Sequence, residues 1–172
     1  FNRGHWKKFE MTEEGPRVAT NKHGKPVYDL SGADEKSFAT DWLVDRSLEI
    51  LERDKKKPFC LMLALPDPHG PNTVRAPYDT MYDHMTFRQP VTMRKVLAAL
   101  QNRPGWVSGT SNAVKKLSQS TLSKYFGMVR CIDDNLGKIL TFLKKNQLTE
   151  DTIVVFTSDH GDMMCEPVSY TH

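Results

Sequence analysis

Between about Asp34 and Arg53, apolar residues recur every three or four positions: Phe38, Trp42, Leu43, Leu48, Ile50 and Leu51, with charges between them. That period predicts an amphipathic helix, with Asp34 or Ser37 placed to cap its start. Asp54-Lys55-Lys56-Lys57 then reads as a solvated helix end, where cations suit the helix dipole. At Pro58 the pattern changes. Pro58 to Leu65 is a short apolar run bounded by Pro58 and Pro66, which predicts a fully buried strand of the parallel-sheet kind. Three prolines and a glycine within Pro66 to Asn72 stop both strand and helix. Residues 73 to 117 stay irregular, with Pro77, Pro90, Pro104 and Gly105, and so long a loop suggests a functional surface.

A second stripe is longer. From about Ser118 to Asn146, Leu122, Tyr125, Phe126, Val129, Ile132, Leu136, Ile139, Leu140 and Leu143 hold one apolar face for roughly six turns. Ser118 or Ser120 is a candidate cap. Gly137 weakens a helix interior by about 1 kcal/mol relative to Ala, which points to close packing there. Thr149-Glu150-Asp151 makes a turn, and Thr152 to Thr157 (TIVVFT) predicts a second buried strand. It ends in Ser158-Asp159-His160-Gly161-Asp162. Residues 1 to 33 are polar and rich in turn formers, a loop with at most a short strand around Val27 to Leu30.

Helix, strand, long loop, helix, strand is an α/β order, with parallel strands joined by helices. Ligands in such sheets bind beyond the carboxyl ends of the strands. Both polar clusters, Pro66 to Asn72 and Ser158 to Asp162, directly follow a predicted strand, so parallel strands would bring them to one edge.

Composition narrows the class. The chain has 172 residues, 38% of them hydrophobic, with 24 Lys+Arg against 21 Asp+Glu for a net charge of +3. This fits one globular domain and excludes a disordered polyelectrolyte, a collagen-like repeat and a bundle of membrane spans. The longest strongly apolar run, Phe59 to Leu65, is far short of the ~20 residues of a spanning helix. The charge is too small and too evenly spread to argue for nucleic acid. Cys60, Cys131 and Cys165 match no zinc or redox spacing, and Cys60 and Cys131 read as small core residues. Phe1-Asn2-Arg3-Gly4-His5-Trp6 has no signal-like segment, and both ends suggest an internal piece of something larger.

Chemistry concentrates at the two clusters. Asp159-His160-Gly161-Asp162 offers carboxylates and an imidazole to a divalent cation; a solvated turn is the equal alternative on spacing alone. His69, on a stiff turn between Pro68 and Gly70-Pro71, suits contact with an anionic substrate or protonation of a leaving group. A surface histidine is the plainer alternative. Asp67 and Asn72 flank it and could orient it, or Asp67 could cap its own turn. His5, His23, His84 and His172 read as surface residues. Asp133-Asp134 lies in the second helix, Asp133 beside the apolar stripe and Asp134 further out, reading as solvated or structurally hydrogen-bonded.

With these residues in view, the chain resembles the sulfatases of the alkaline-phosphatase-like superfamily. Four stretches carry the resemblance: Lys57 to Pro71 (KPFCLMLALPDPHGP), Ala76-Pro77-Tyr78-Asp79, Tyr125 to Gly137 (YFGMVRCIDDNLG) and Thr152 to Asp162 (TIVVFTSDHGD). It covers roughly residues 35 to 164 and implies part of an α/β/α sandwich with a mostly parallel sheet. Residues 1–172 would be one partial catalytic domain: 1–33 loop-rich, 34–164 the α/β core portion, 165–172 a divergent end. Asp159 and His160 would be two ligands of an active-site calcium or magnesium ion, which neutralises sulfate oxygens. His69 would contact the sulfate or assist the leaving oxygen. The substrate would be a carbohydrate or aryl sulfate ester, with no nucleic acid and no membrane span, and the remainder of the domain as partner. A periplasmic or secreted location is implied.

The departures are equally definite. Sulfatases convert a Cys or Ser in a C/S-x-P/A-x-R context to formylglycine, and no cysteine here has that context. Cys165-Glu166-Pro167 begins like it, but Val168-Ser169 follows without an Arg. The family's Asp pair before that cysteine, the lysine-bearing segment after it and the Gly-Glu-His after Met164 are absent too. The chain thus resembles the middle of a sulfatase catalytic domain, expected to be inactive alone, with unpaired sheet edges that invite aggregation. The rival readings are a phosphodiesterase, phosphonate hydrolase or phosphate-group transferase of the same superfamily, and a truncated non-catalytic product or weak binder of anionic glycans.

Overall fold

The computed structural model describes residues 10–12, 15–17, 22–23, 33–88 and 119–161. The expected strand at Val27 to Leu30, the loop from 89 to 118 with the Ser118 cap, and everything from Asp162 onward, Cys165 included, lie outside them.

Two helices form where the periodicity places them. Helix α1 is Ala39–Asp54 and helix α2 is Gln119–Lys145. Neither Asp34 nor Ser37 caps α1 directly. They lock the turn before it instead: the Asp34 carboxylate accepts from the Lys36 and Ser37 N–H groups, and the Ser37 hydroxyl accepts from the Asp34 N–H. The N-cap residue is the buried Phe38, whose carbonyl accepts from Trp42 N–H at 2.9 Å. The C-terminus of α2 closes by a two-bond wrap. Leu148 N–H donates to Leu143 O at 2.9 Å, Gln147 N–H donates to Lys144 O at 3.2 Å, and Gln147 takes a positive φ of 59°. This is the left-handed cap that glycine usually supplies.

The helices run parallel. Asp41, in the first turn of α1, meets Asn135 and Lys138 of α2, while Lys55, just past α1, donates to Asn146 just past α2 at 2.9 Å. Parallel neighbouring helices are what crossovers on one face of a parallel sheet produce.

The buried seams differ from the apolar stripes. In α1 the buried positions are Ala39, Thr40, Asp41, Val44, Ser47 and Leu51, an i, i+3, i+7 row. Trp42, Leu43 and Leu48 are only half-buried and Ile50 is exposed. The row escapes an apolar count because half of it is polar and paired; the Ser47 hydroxyl, for instance, donates to Leu43 O at 2.8 Å. In α2 the buried row is Leu122, Ser123, Gly127, Met128, Cys131, Asn135 and Leu143, while Phe126, Val129 and Leu140 are exposed. A cluster of Phe38, Val74, Tyr78, Met128 and Cys131, with Met81 and Tyr125 against it, forms the core. The segment after His69 therefore packs onto α2 and does not trail over the surface.

Four expectations need correction. Gly137 does not mark a close approach, since a Cβ there would meet nothing within 4 Å. The close approach is at Gly127, where a Cβ would lie 2.2 Å from the Tyr78 carbonyl oxygen. Asp133 is the exposed carboxylate and Asp134 the half-buried one, accepting from the Tyr78 hydroxyl at 2.9 Å. Cys131 is buried as expected, but Cys60 is exposed.

The fourth concerns the sheet. Among the described residues, the mostly parallel sheet does not form. The strands described are β1, Glu10–Thr12, and β2, Gly15–Arg17, paired antiparallel in the region expected to be loop. Residues 58–66 and 152–158 carry no ladder, and Met62, Ile153, Val155 and Phe156 are 90%, 91%, 78% and 72% exposed. A strand needs neighbours at about 4.8 Å to satisfy its backbone, and the described residues supply none. Both segments nonetheless begin at the same end of the helix pair, one after Asp54 and one after Lys145, so each sets off from the end at which the two helices finish.

Candidate functional site

The segment from Pro66 to Asp79 is fastened to α1 by buried polar contacts and to α2 by the part-buried bond from Tyr78 to Asp134. Thr40, fully buried at the start of α1, donates to Asp67 Oδ2 at 2.5 Å. Arg75, 3% exposed, grips Asp41 with two prongs: Nε to Oδ2 at 2.7 Å and Nη2 to Oδ1 at 2.9 Å. Arg75 also donates to its neighbour's Ala76 O at 2.8 Å and lies 5.0 Å over the Tyr78 ring. Asn135 Nδ2 adds a third bond to Asp41 at 2.9 Å.

Burial pushes the Asp41 carboxyl up, but hydrogen bonds from Arg75 and Asn135 and the charges of Arg75 and Lys138 outweigh it and hold it below the ordinary value. The hydrogen bond to Asp41 raises Arg75, against burial. Burial, with Asp41 close by, pushes the Cys131 thiol up to about 12. The Tyr78 hydroxyl is raised by burial and by its bond to Asp134. None of Thr40, Asp41 and Arg75 stood out as functional in the sequence. The available signal was an acid on the inner face of a predicted helix, which must find a cation when buried.

His69 lies between these two fastenings, two residues after Asp67, with its side chain exposed. His69 N–H donates to Pro66 O at 3.1 Å, and its ring Nδ1 lies 2.7 Å from Gly70 O. A carbonyl oxygen only accepts, so Nδ1 carries a proton and Nε2 bears the lone pair of the neutral ring.

Asp159 and His160 stand together on the turn after residue 157, 89% and 74% exposed at their side chains. His160 N–H donates to Asp159 Oδ1 at 3.0 Å, and His160 Nε2 lies 3.6 Å from Asp159 Oδ2. His160 Nδ1 lies 3.0 Å from Gly161 O, so it too is protonated at Nδ1. Metal-ligating imidazoles commonly donate in this way, leaving Nε2 to face the ion. The structure thus brings Asp159 and His160 to one turn and puts His69 on another, each beyond one of the two extended segments. His23 and His84 are exposed.

The donors fit a divalent cation in kind but not in number. One carboxylate and one imidazole are suitable ligands, yet calcium takes six to eight oxygens. Among the described residues, no group of three or more His, Cys, Asp or Glu could hold a metal ion. These residues alone do not make a metal site.

Comparison with known proteins decides the family. The sulfatase family model matches residues 6–172. The chain belongs to the sulfatase family. Sulfatases have an α/β, alkaline-phosphatase-like fold, are generally metal-dependent and act on sulfate esters. This sulfatase chain is 31% identical over 138 residues to an arylsulfatase of Clostridium perfringens, covering 77% of the chain and 28% of that protein. It is 27% identical over 176 residues to the multifunctional alkaline phosphatase superfamily protein PehA of Trinickia caryophylli, covering 91% and 34%. It is 24% identical over 160 residues to a choline-sulfatase of Rhizobium meliloti, covering 83% and 30%. The sulfatase chain therefore spans about a third of the length of these relatives. No solved structure matches it. Among the described residues, no helix is long and apolar enough to cross a membrane.

Proposed function

We propose that this sulfatase chain carries one part of a sulfuric ester hydrolase site, within a single partial catalytic domain over residues 1–172. The supporting observation is the pair of turns just described, each presenting an Nδ1-protonated imidazole beyond an extended segment, in a chain whose family acts on sulfate esters. In this reading His69 faces the sulfate and protonates the leaving oxygen through Nε2 when doubly protonated, a general-acid role worth about 10²–10⁴ in rate. Asp159 and His160 furnish two donors toward a calcium or magnesium ion whose remaining ligands the described residues do not supply. The formylglycine nucleophile of the family has no precursor motif in this chain, so the 172-residue chain alone does not turn over substrate. A carbohydrate or aryl sulfate ester is the substrate class, in a periplasmic or secreted setting.

The test is a hybrid in which this chain replaces the aligned stretch of the C. perfringens arylsulfatase. The hybrid is expected to hydrolyse 4-nitrophenyl sulfate and to lose at least about 100-fold in kcat with His69→Ala. A folded, active hybrid indifferent to His69→Ala overturns the assignment. The similarity to a protein named as a multifunctional member of the alkaline phosphatase superfamily supports a second reading, phosphoryl-ester hydrolysis at the same turns; a hybrid that prefers bis(4-nitrophenyl) phosphate to the sulfate ester would select it.

A further inference from the structure

Asp67 is 6% exposed although its turn ends in the exposed His69. A carboxylate is seldom so buried without a strong partner. One partner comes from 27 residues earlier in the chain: the Thr40 hydroxyl, itself fully buried, donates to Asp67 Oδ2 at 2.5 Å. Thr40 lies in the first turn of α1, where the helix dipole also favours a negative charge. The turn is short and closed, since His69 N–H donates to Pro66 O across Asp67 and Pro68. Fixing Asp67 therefore fixes the orientation of the whole turn, and with it the ring that donates to Gly70 O.

We propose that Thr40 is a positioning residue: through its bond to Asp67 it holds the Pro66–Gly70 turn so that His69 keeps its proton on Nδ1 and aims Nε2 at the substrate. This deepens the sulfatase reading and rests on it for the word substrate; the holding of the ring stands or falls separately. The pairing of Arg75 with Asp41 fastens the chain eight residues after Asp67 and six after His69, so the Thr40–Asp67 bond is the fastening nearest the imidazole among these contacts. A hydroxyl that only filled space would be replaceable by valine, which has its shape without its donor.

The test compares Thr40→Val with Thr40→Ser in the 172-residue chain. Long-range proton–nitrogen correlation spectra read the tautomer of His69, assigned by loss of its signals in His69→Gln, while circular dichroism melts follow stability. The parent and Thr40→Ser are expected to show the Nδ1–H form of His69. Thr40→Val is expected to show a mixture shifted toward Nε2–H at a temperature where the chain is still folded. If Thr40→Val does not fold, Asp67→Ala, which removes the buried charge as well as the bond, is expected to give the same tautomer shift. A folded Thr40→Val or Asp67→Ala chain with His69 unchanged overturns the proposal, whatever the melting temperature does. In the arylsulfatase hybrid, Thr40→Val should lower kcat about tenfold at unchanged KM, with Thr40→Ser restoring it. An inactive hybrid whose His69 tautomer still responds to Thr40→Val would count against the sulfatase reading and for the positioning role.

Discussion

Two glycines in α2 should respond in opposite directions to the same substitution. At Gly127 an added methyl would lie 2.2 Å from the Tyr78 carbonyl oxygen, 3.1 Å from its carbon and 3.2 Å from Val74 Cγ1. The nearest atom is backbone, so the 74–78 segment must retreat by about 1 Å to reach ordinary contact. That retreat strains the Arg75–Asp41 pair and the bond from Tyr78 to Asp134. Overpacking of this kind costs about 1–3 kcal/mol, and the backbone contact puts it at the upper end; the helical gain of Gly to Ala returns about 1. The expected net loss for Gly127→Ala is about 2 kcal/mol. Gly137 has nothing within 4 Å of the same position, so Gly137→Ala keeps the helical gain of about 1 kcal/mol. Urea unfolding followed by circular dichroism should separate the two variants by about 3 kcal/mol, with melting temperatures roughly 6–12 °C apart. Two variants shifted in the same direction, or Gly127→Ala as stable as the parent, would refute the packing of the segment on α2.

Removing the cation from the buried pair, by Arg75→Met, leaves Asp41 charged and enclosed; a loss of about 3–5 kcal/mol in urea unfolding is expected, and a loss below 1 kcal/mol would mean the pair is not buried. The Asp41 carboxyl is held below its ordinary value in the fold. Its contribution is therefore present above the unfolded value of about 3.9 and lost as pH falls through the folded value. Stability should drop below about pH 4, and Asp41→Asn should flatten that drop; an unchanged acid limb in Asp41→Asn would contradict it. The Cys131 thiol, buried and pushed up to about 12, should resist iodoacetamide at pH 8 while exposed Cys60 alkylates, as read by peptide mass spectrometry. Equal labelling of the two would place Cys131 outside the core.

Both helices were legible because each is long and periodic, and the two extended segments were legible as short apolar runs between turn formers. Their pairing was not, because a ladder is a property of neighbours and neither Phe59 to Leu65 nor Ile153 to Phe156 names its own. The buried face of α1 was misread for a related reason. Period counting weighs Trp42 and Ile50 above Thr40, Asp41 and Ser47, yet the last three face inward with partners supplied by Asp67, Arg75 and Leu43. Gly127 and Gly137 look alike in sequence; only the course of the 74–78 segment tells them apart. The candidate site residues themselves stood out, because His69 and Asp159-His160 each follow an apolar run at once, and what remained hidden was the interior fastening that holds the first of them.

In the proposed sulfatase site, the His69 turn and the Asp159–His160 turn share one rim. Gly70 and Gly161 each have open space where a side chain would begin, so nitroxide labels at Gly70→Cys and Gly161→Cys fit without disturbing either turn. With Cys60 and Cys165 changed to Ser and Cys131 left buried, pulsed electron resonance should give a main distance within about 20 Å, room for one small anion, one cation and two label arms. A main distance beyond about 30 Å, the span of a small domain, would place the two turns on separate rims and rule out a shared site.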